Sequence, residues 1–323
     1  MPPSISVALC TRNGARFVEA QLLSILAQTN PPDQVVISDD ASSDETVAIV
    51  RRVMDGTAPD LVLLENPVAL GIAKNFEQAI LATTGNLVAL SDQDDYWRSD
   101  RLEVVGKAFE RRPELLLLHH DARLIDEVGT FLGKTLFDVL GFSARERGHE
   151  RDGTAFNALM RRNFVTGATV VFRRSLIARS VPFPSGWLHD EWLTVVAAAI
   201  GSIDFLTDQL IDYRQHGSNQ IGVRSLSLAG KYGRMREPRT ERNKRLLDLA
   251  TALVPRLVDL GADVSADKLA LAQQKLIHET VRSSLSPHVL HRIMPAVREL
   301  RSGRYSSCGR GIVDFARDVI QPV

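Results

Sequence analysis

The first 126 residues alternate between short apolar runs and stretches whose apolar residues recur at helical spacing. Short runs rich in β-branched side chains predict buried strands, and the periodic stretches between them predict helices. Strand, helix and strand repeated over short links is typical of a mostly parallel sheet with helices on both faces. The sequence therefore predicts an α/β fold, with strands at residues 4–9, 34–38, 61–64, 87–90 and a fifth beginning at 115–118.

The rest of the chain is less regular. Ser42 and Glu45 have the spacing of a capping box, which predicts that the second helix opens there. Residues 129–162 have weak periodicity and scattered glycines, so we expect a variable, partly helical insert and assign it no chemistry. The later predicted elements are a turn and strand at 163–172, a helix starting at 187–192, and strand-like runs at 203–206 and 210–213.

Three carboxylates stand in four positions directly after the fourth predicted strand, at Asp92, Asp94 and Asp95. Such a cluster repels itself, and it is typical of a place where a hard cation is held by oxygen ligands. An acidic loop or helix entry is the alternative explanation. Other polar residues also follow predicted strands, and the carboxyl ends of parallel strands form the edge where ligands bind. We therefore expect the acidic cluster to converge on one crevice with the residues at the ends of the first two strands.

Composition excludes several classes of protein. No apolar run approaches the about 18 residues of a membrane span, and the amino terminus has no basic segment followed by an apolar one. The two cysteines, Cys10 and Cys308, lie far apart and have no ligand spacing. Hydrophobic residues make up 44% and charged residues 24%, as in an ordinary globular protein. These features favour a cytoplasmic protein.

The charge is distributed unevenly, which indicates two regions. Residues 1–223 carry 21 Lys and Arg against 29 Asp and Glu, whereas residues 224–323 carry 18 against 10. Strand patterns end near residue 223, and apolar residues recur at helical spacing beyond it. We predict an α/β domain at 1–223 and a helical extension at 224–323. The basic extension is either a surface for anionic lipid or a set of solvated helices packed on the acidic domain, and residues 231–245 favour the solvated face.

Four ordered stretches resemble the family 2 glycosyltransferases of GT-A fold. These stretches are 5–13, 35–46, 66–75 and 91–97, and the resemblance covers residues 4 to about 222. The form Ser-Asp-Gln-Asp-Asp-Tyr-Trp at 91–97, with 213–219 later, is similar to the rhamnosyltransferase-like branch. The resemblance implies a GT-A, Rossmann-like sheet and an inverting, metal-dependent transfer of a sugar from a nucleotide diphosphate.

The residues after the first two strands have the chemistry that a nucleotide donor needs. Thr11, Arg12 and Asn13 can reach the nucleotide, and Asp39 or Asp40 can accept a hydrogen bond from a pyrimidine N–H, which would favour UDP or dTDP. The resemblance implies the same roles. A turn or helix cap is the alternative explanation for each of them.

The acidic cluster then corresponds to the D-x-D pair of the family. The resemblance implies that Asp92 approaches the ribose or the sugar, and that Asp94 binds a Mg²⁺ or Mn²⁺ ion bridging the two phosphates. It also implies that His216 completes the metal site, although an ordinary core or surface histidine is equally consistent with the sequence. The role of Asp95 is left open, with orientation of the loop as one explanation.

An inverting transfer needs a base that takes the proton of the acceptor hydroxyl. Asp190 is the first candidate, because His189-Asp190 stands where the family has a Glu-Asp pair at a helix start. The histidine departs from that pattern, and Glu191 therefore remains a competitor. Both acids are also explained by the preference of a helix amino terminus for negative charge.

We expect the chain to transfer a sugar, such as rhamnose from dTDP-rhamnose or a hexose from UDP, to a saccharide or lipid-linked glycan in surface polysaccharide synthesis. No nucleic acid is expected as a partner, a peripheral contact with the inner face of the membrane is left open, and no oligomeric state is predicted. A non-catalytic subunit that binds nucleotide sugar is the alternative. A glycoside hydrolase using paired acids fits less well, because it needs no nucleotide crevice.

Overall fold

The computed structural model describes residues 3–216 and 238–322. Nine strands form one sheet. They are β1 (Ile5–Thr11), β2 (Gln34–Asp39), β3 (Asp60–Glu65), β4 (Leu87–Ser91), β5 (Tyr96–Trp97), β6 (Leu115–Ile125), β7 (Phe131–Thr135), β8 (Val171–Arg173) and β9 (Ser202–Arg214). The strand order is β3-β2-β1-β4-β8-β6-β9-β5, and β7 pairs with β6 beside this path.

The sheet is mixed, as the fold-class prediction requires. Strands β3, β2, β1 and β4 are all parallel, and β6 is parallel to β9. Strand β8 runs antiparallel between β4 and β6, and β5 is antiparallel to β9. The carboxyl ends of β1, β2 and β4 therefore lie along one edge, because their strands point the same way.

Helices cover both faces of the sheet. Ile5, Val7 and Leu9 of β1 belong to one buried apolar cluster and Ala8 to another, since successive side chains of a strand point to opposite faces. The helices are α1 (Val18–Leu26), α2 (Thr46–Met54), α3 (Ile72–Leu81), α4 (Arg101–Arg111), α5 (Leu136–Leu140), α6 (Ala144–Arg151), α7 (Ala155–Leu159), α8 (Ile177–Ser180), α9 (His189–Ile200), α10 (Arg239–Asp259), α11 (Ala266–Ser283), α12 (Val289–Arg301), α13 (Arg304–Cys308) and α14 (Ile312–Ile320).

The predicted capping box at the start of α2 is wrong. The helix begins at Thr46, and the side chain of Ser42 is used elsewhere, because its Oγ donates to Asp39 Oδ1 at 2.6 Å. Asp44 Oδ1 instead accepts from the Thr46 N–H at 3.0 Å. A cap would need the Ser42 hydroxyl to accept from a helix N–H, but Ser42 Oγ accepts from the Asn13 N–H at 2.8 Å, so local spacing misassigned it.

The two strand-like runs at 203–206 and 210–213 form a single strand, β9. Its pairing with β6 shifts register on both sides of Asp121, and this irregularity carries the strand past the polar residues between the two runs. The insert at 129–162 is partly helical, as expected, but it also contains β7. This strand is mostly exposed and so lacks the apolar alternation that marks a buried strand.

The carboxyl-terminal helices share an apolar core with the α/β part. Leu253 and Leu257 of α10 belong to the same buried cluster as Trp192 and Val196 of α9. The predicted boundary at residue 223 falls outside the described residues, as do the predicted motif residues 217–219 and residues 231–237 of the basic segment. The division into two domains remains a prediction. The shared cluster shows that the carboxyl-terminal helices pack on α9.

No helix in the described part of the chain is long and apolar enough to cross a membrane.

We predict that Leu253→Ala lowers the free energy of unfolding by about 2–5 kcal/mol, because it opens a cavity in the core that α9 and α10 share. Denaturant unfolding followed by circular dichroism measures this. Leu290→Ala is the control, since Leu290 is 81% exposed and Leu253 1% exposed. Equal effects of the two substitutions would contradict the shared core.

Candidate active site

The first side of the site is built from the ends of β1 and β2. Thr11 Oγ1 donates to Asp39 Oδ1 at 2.7 Å, and Asp39 Oδ2 accepts from the Ser42 N–H at 2.8 Å. The two strands are parallel neighbours with Thr11 opposite Asp39, so their register brings these side chains together. Asp39 is buried at the strand end and is oriented by these bonds.

Asp40 joins the first loop to the loop before α3. Its Oδ1 accepts from the Leu70 N–H at 2.5 Å and its Oδ2 from the Gly71 N–H at 3.1 Å. Arg12 Nη1 lies 3.6 Å from Asp40 Oδ2, and the Arg12 side chain is about half exposed. Asp40 thus holds the wall of the crevice, while the guanidinium of Arg12 is accessible at its rim.

Gln93 ties the first loop to the acidic loop, a role that the sequence did not reveal. Its Oε1 accepts from the Arg12 N–H at 2.8 Å, and its Nε2 donates to the Arg12 carbonyl at 3.1 Å. The neighbouring Asn13 has a φ of +48°, and its Oδ1 accepts from the Ser43 N–H at 2.8 Å. The position of Gln93 inside the acidic motif was a signal that could have identified it.

The acidic loop after β4 concentrates negative charge in a buried place. Burial, together with the nearby carboxylates of Asp94 and Asp190, raises the pKa of Asp92 to about 7. Burial also raises the pKa of the Cys10 thiol well above its usual range, with smaller effects from Asp92 and Asp40. These influences join the ends of β1, β2 and β4 and the start of α9 in one electrostatic site.

Asp94 and His216 are in direct contact. His216 Nε2 lies 2.7 Å from Asp94 Oδ2, and both side chains are largely buried. A carboxylate oxygen and an imidazole nitrogen suit Mn²⁺, and the oxygen suits Mg²⁺. Within residues 3–216 and 238–322, no group of three or more His, Cys, Asp or Glu side chains is arranged to hold a metal. The two residues therefore fit a metal site only if substrate phosphates and water complete it.

Asp95 has a structural role in orienting the loop. It is fully buried, and its Oδ1 accepts from the Arg214 N–H at 3.0 Å. Burial raises its pKa well above the usual range, whereas the buried guanidinium of Arg101 acts in the opposite direction. Arg101 lies 3.8 Å over the ring of Trp97, and burial lowers its pKa to about 9.

Asp190 lies in the first turn of α9, and its charge acts on Asp92 in the acidic loop. Its Oδ2 accepts from the Gly167 N–H and its Oδ1 from the Glu191 N–H, both at 2.8 Å. Burial raises the pKa of Asp190 to about 6, although these two N–H groups favour the ionised form. A carboxyl group whose pKa lies just below neutral pH is suited to accept a proton.

His189 is a packing residue. Its ring stacks on Phe76 with centroids 3.7 Å apart, and burial lowers its pKa to about 3, so the ring is neutral. Glu191 faces α10, because its Oε2 accepts from Arg245 Nη2 of that helix at 2.9 Å. Burial raises the pKa of Glu191, and Arg245 opposes this rise. Sequence reasoning missed Arg245, which no motif marks.

The fold is that of the GT-A glycosyltransferases. Among solved structures, a Staphylococcus aureus TarS fragment in complex with UDP-GlcNAc matches with a TM-score of 0.58 and 16% identity, over 98% of this chain and 81% of that one. The mannosyltransferase PcManGT of Pyrobaculum calidifontis, in complex with GDP-Man and Mn²⁺, matches with a TM-score of 0.54 and 18% identity, over 99% and 85%.

The chain belongs to glycosyl transferase family 2, whose model matches residues 6–177. An uncharacterized glycosyltransferase of Nostoc sp. is 27% identical over 67% of this chain and 66% of its own length. The dTDP-rhamnosyl transferase RfbG of Shigella flexneri is 25% identical over 70% and 78%. The matches span less than two thirds of the Nostoc protein and 59% of a Mycobacterium tuberculosis relative.

We predict that Gly167→Ala destabilises the protein by about 1–3 kcal/mol, because the added methyl overpacks a rigid place. A Cβ at Gly167 would lie 2.8 Å from His189 Nε2, and the imidazole is held against Phe76. Denaturant unfolding measures the loss. Gly148→Ala is the control, since a Cβ there meets no atom within 4 Å. Comparable stability of the two variants would refute the tight contact.

Proposed function

We propose that the chain is an inverting glycosyltransferase that moves a sugar from a pyrimidine nucleotide diphosphate to a saccharide or lipid-linked glycan. The observation that carries this proposal is the parallel register of β1 with β2 and β4, which brings Asp39 and the acidic loop to one edge of the sheet, where the charge of Asp190 also acts on Asp92. A donor clamp and a base must both reach the anomeric carbon. Asp92 and Asp94 after β4 are the proposed clamp, and Asp190 at the start of α9 is the proposed base.

The nucleotide is assigned to the crevice between the β1 and β2 ends. Asp39 is oriented there by Thr11, and the exposed guanidinium of Arg12 at the rim suits a diphosphate. Two relatives favour a pyrimidine donor, since one is described as a dTDP-rhamnosyl transferase and one from Escherichia coli as a UDP-glucose β-1,3-glucosyltransferase. We therefore propose dTDP-rhamnose or a UDP-hexose, used at the inner face of the membrane in surface polysaccharide synthesis.

Asp94 and His216 are the residues proposed to hold Mg²⁺ or Mn²⁺. When bound, the ion would neutralise charge that develops on the departing nucleoside diphosphate. Their 2.7 Å contact brings an oxygen and a nitrogen ligand together. Arg214 holds the backbone of this pair in place, because its Nε donates to the Asp94 carbonyl at 2.8 Å.

Asp190 is proposed as the base. The N–H groups of Gly167 and Glu191 fix the orientation of its carboxylate, so that a carboxylate oxygen can accept the proton of the acceptor hydroxyl. The hydroxyl oxygen then bonds to the anomeric carbon as the bond from that carbon to the nucleoside diphosphate breaks. Glu191 is less suited to this role, since Arg245 occupies one of its oxygens at 2.9 Å.

We predict that Asp190→Asn lowers the transfer rate by about 10²–10⁴-fold, because an amide cannot take the proton. Nucleotide affinity measured by calorimetry should stay within experimental error of the wild type. Loss of transfer in Glu191→Gln but not in Asp190→Asn would move the base to Glu191. Wild-type chain that binds the donor yet transfers nothing to any glycan acceptor would favour the non-catalytic subunit.

We also predict an acid limb in the pH profile of kcat/KM with a midpoint at about pH 6. The Asp190 carboxyl has a pKa of about 6 and must be ionised to act as a base, so activity should fall as pH drops through that value. Below it the expected slope is about tenfold per pH unit. Residual activity of Asp190→Asn should lack this limb, and an unchanged limb in that variant would assign it to another group.

We predict that Asp94→Ala removes the metal-dependent part of nucleotide binding, because one of two protein ligands is lost. Calorimetry with UDP or dTDP in Mn²⁺ and in EDTA measures the difference between the two conditions. Asp259→Ala is the control, since Asp259 is exposed at the end of α10. An Asp94→Ala protein whose affinity still depends on Mn²⁺ as in the wild type would overturn the metal assignment.

A further inference from the structure

A cavity of about 700 Å³ lies where the carboxyl-terminal helices pack against the α/β part. Trp187 and Val195 line it from the α/β part, and Leu246, Leu249 and Leu253 of α10 line it from the opposite side. The indole Nε1 of Trp187 donates to the Leu249 carbonyl at 3.1 Å, which joins the two walls. The cavity therefore offers apolar surface on opposite sides.

The same cavity is strongly cationic. Arg161 and Arg162 precede β8, and Arg242, Arg245 and Lys275 come from α10 and α11. Arg162 is paired with Glu146, and Lys275 lies 2.8 Å from Glu279. Arg161 differs, because its Nε donates only to the Gly309 carbonyl at 3.2 Å and no carboxylate within the described ranges pairs with it.

Arg310 and Arg317 complete the cationic lining. Arg317 lies 3.6 Å from Asp314, a long contact for an ion pair. Among the described residues, the lining contains seven cations and two acids, Glu191 and Asp314. Glu146, Glu279 and Asp318 pair with lining cations, and Arg282 pairs with the last two of these acids. Counting these four gives eight cations against five acids within the described ranges, so the excess of positive charge remains.

We propose that this cavity binds a phosphate or diphosphate ester on the acceptor, next to the sugar that receives the transferred residue. Guanidinium groups are suited to bind phosphate oxygens in pairs. Excess cations in a partly enclosed space attract an anion, whereas an uncharged saccharide would need neutral donors and acceptors. This inference rests on the proposed glycosyl transfer and names the chemistry of its acceptor.

The position relative to the proposed base supports an acceptor site. Glu191 lines the cavity, and the adjacent Asp190 faces the acidic loop, so the start of α9 separates the two spaces. An acceptor whose phosphate lies in the cavity can present its sugar hydroxyl across that helix end. Arg245, which pairs with Glu191 at 2.9 Å, lines the cavity beside this helix start.

The test measures binding of farnesyl diphosphate to the full chain by calorimetry, with farnesol as the uncharged probe and glucose 1-phosphate as the lipid-free one. Saturating UDP and Mn²⁺ fill the donor crevice. We expect farnesyl diphosphate to bind under these conditions, and the double variant Arg161→Gln, Arg317→Gln to bind it at least about tenfold more weakly, because charge-assisted hydrogen bonds are lost.

Arg301→Gln is the matched control, since Arg301 is exposed on α12 outside the lining. Tighter binding of farnesyl diphosphate than of glucose 1-phosphate would support a lipid-linked phosphate, and equal binding of both would support a phosphorylated saccharide. Three results would each overturn the proposal. They are equal binding of farnesol and farnesyl diphosphate, loss of farnesyl diphosphate binding when UDP is added, and unchanged affinity of the double variant for farnesyl diphosphate.

The outcomes separate this inference from the function on which it rests. If UDP and dTDP do not bind but farnesyl diphosphate binds and depends on Arg161 and Arg317, the glycosyl transfer proposal fails while the anion site stands. If the donor binds and is transferred but the double variant behaves as Arg301→Gln does, the cavity assignment fails alone. Thermal unfolding of each variant checks that weaker binding is not loss of fold.

Discussion

The burial of several carboxylates at one edge of the sheet is the constraint on which the site depends. Carboxylates that repel each other in a low-dielectric place need hydrogen-bond donors or cations nearby. Arg214 supplies much of this support, because its N–H reaches Asp95, its Nε reaches the Asp94 carbonyl, and its Nη1 donates to the carbonyls of Asp126 and Glu127. The end of β9 thereby holds the acidic loop in position.

The same constraint joins the two halves of the α/β part. Asp92 follows a strand of the parallel half, and Asp190 lies in the first turn of α9, yet the charge of Asp190 acts on Asp92. The Gly167 and Glu191 N–H groups offset part of this repulsion, because they favour the ionised form of Asp190. A cation and a charged diphosphate would change this balance further, which is the physical reason to expect donor and metal to bind together.

Sequence reasoning could predict the parts of this arrangement that follow from strand direction. The register of β1 on β2 and on β4 is parallel, so Thr11, Asp39 and the acidic loop had to share an edge. The approach of Asp190 came instead from the family resemblance, since no local pattern connects it to Asp92. The Ser42–Glu45 capping box failed for a related reason. Spacing describes what a serine can cap, but the Asn13 N–H donates to the same hydroxyl oxygen at 2.8 Å.

The contacts that sequence could not predict are those made by docking of the carboxyl-terminal helices. Arg245 and Glu191 are 54 residues apart, and their pairing exists because Leu253 and Leu257 place α10 against α9. The basic character of residues 224–323 was visible as composition, but composition does not say which way a cation faces. The apolar packing of α10 turns Arg242 and Arg245 inward, toward a cavity beside the proposed base. Part of the positive charge of the extension therefore lines this cavity instead of the outer surface.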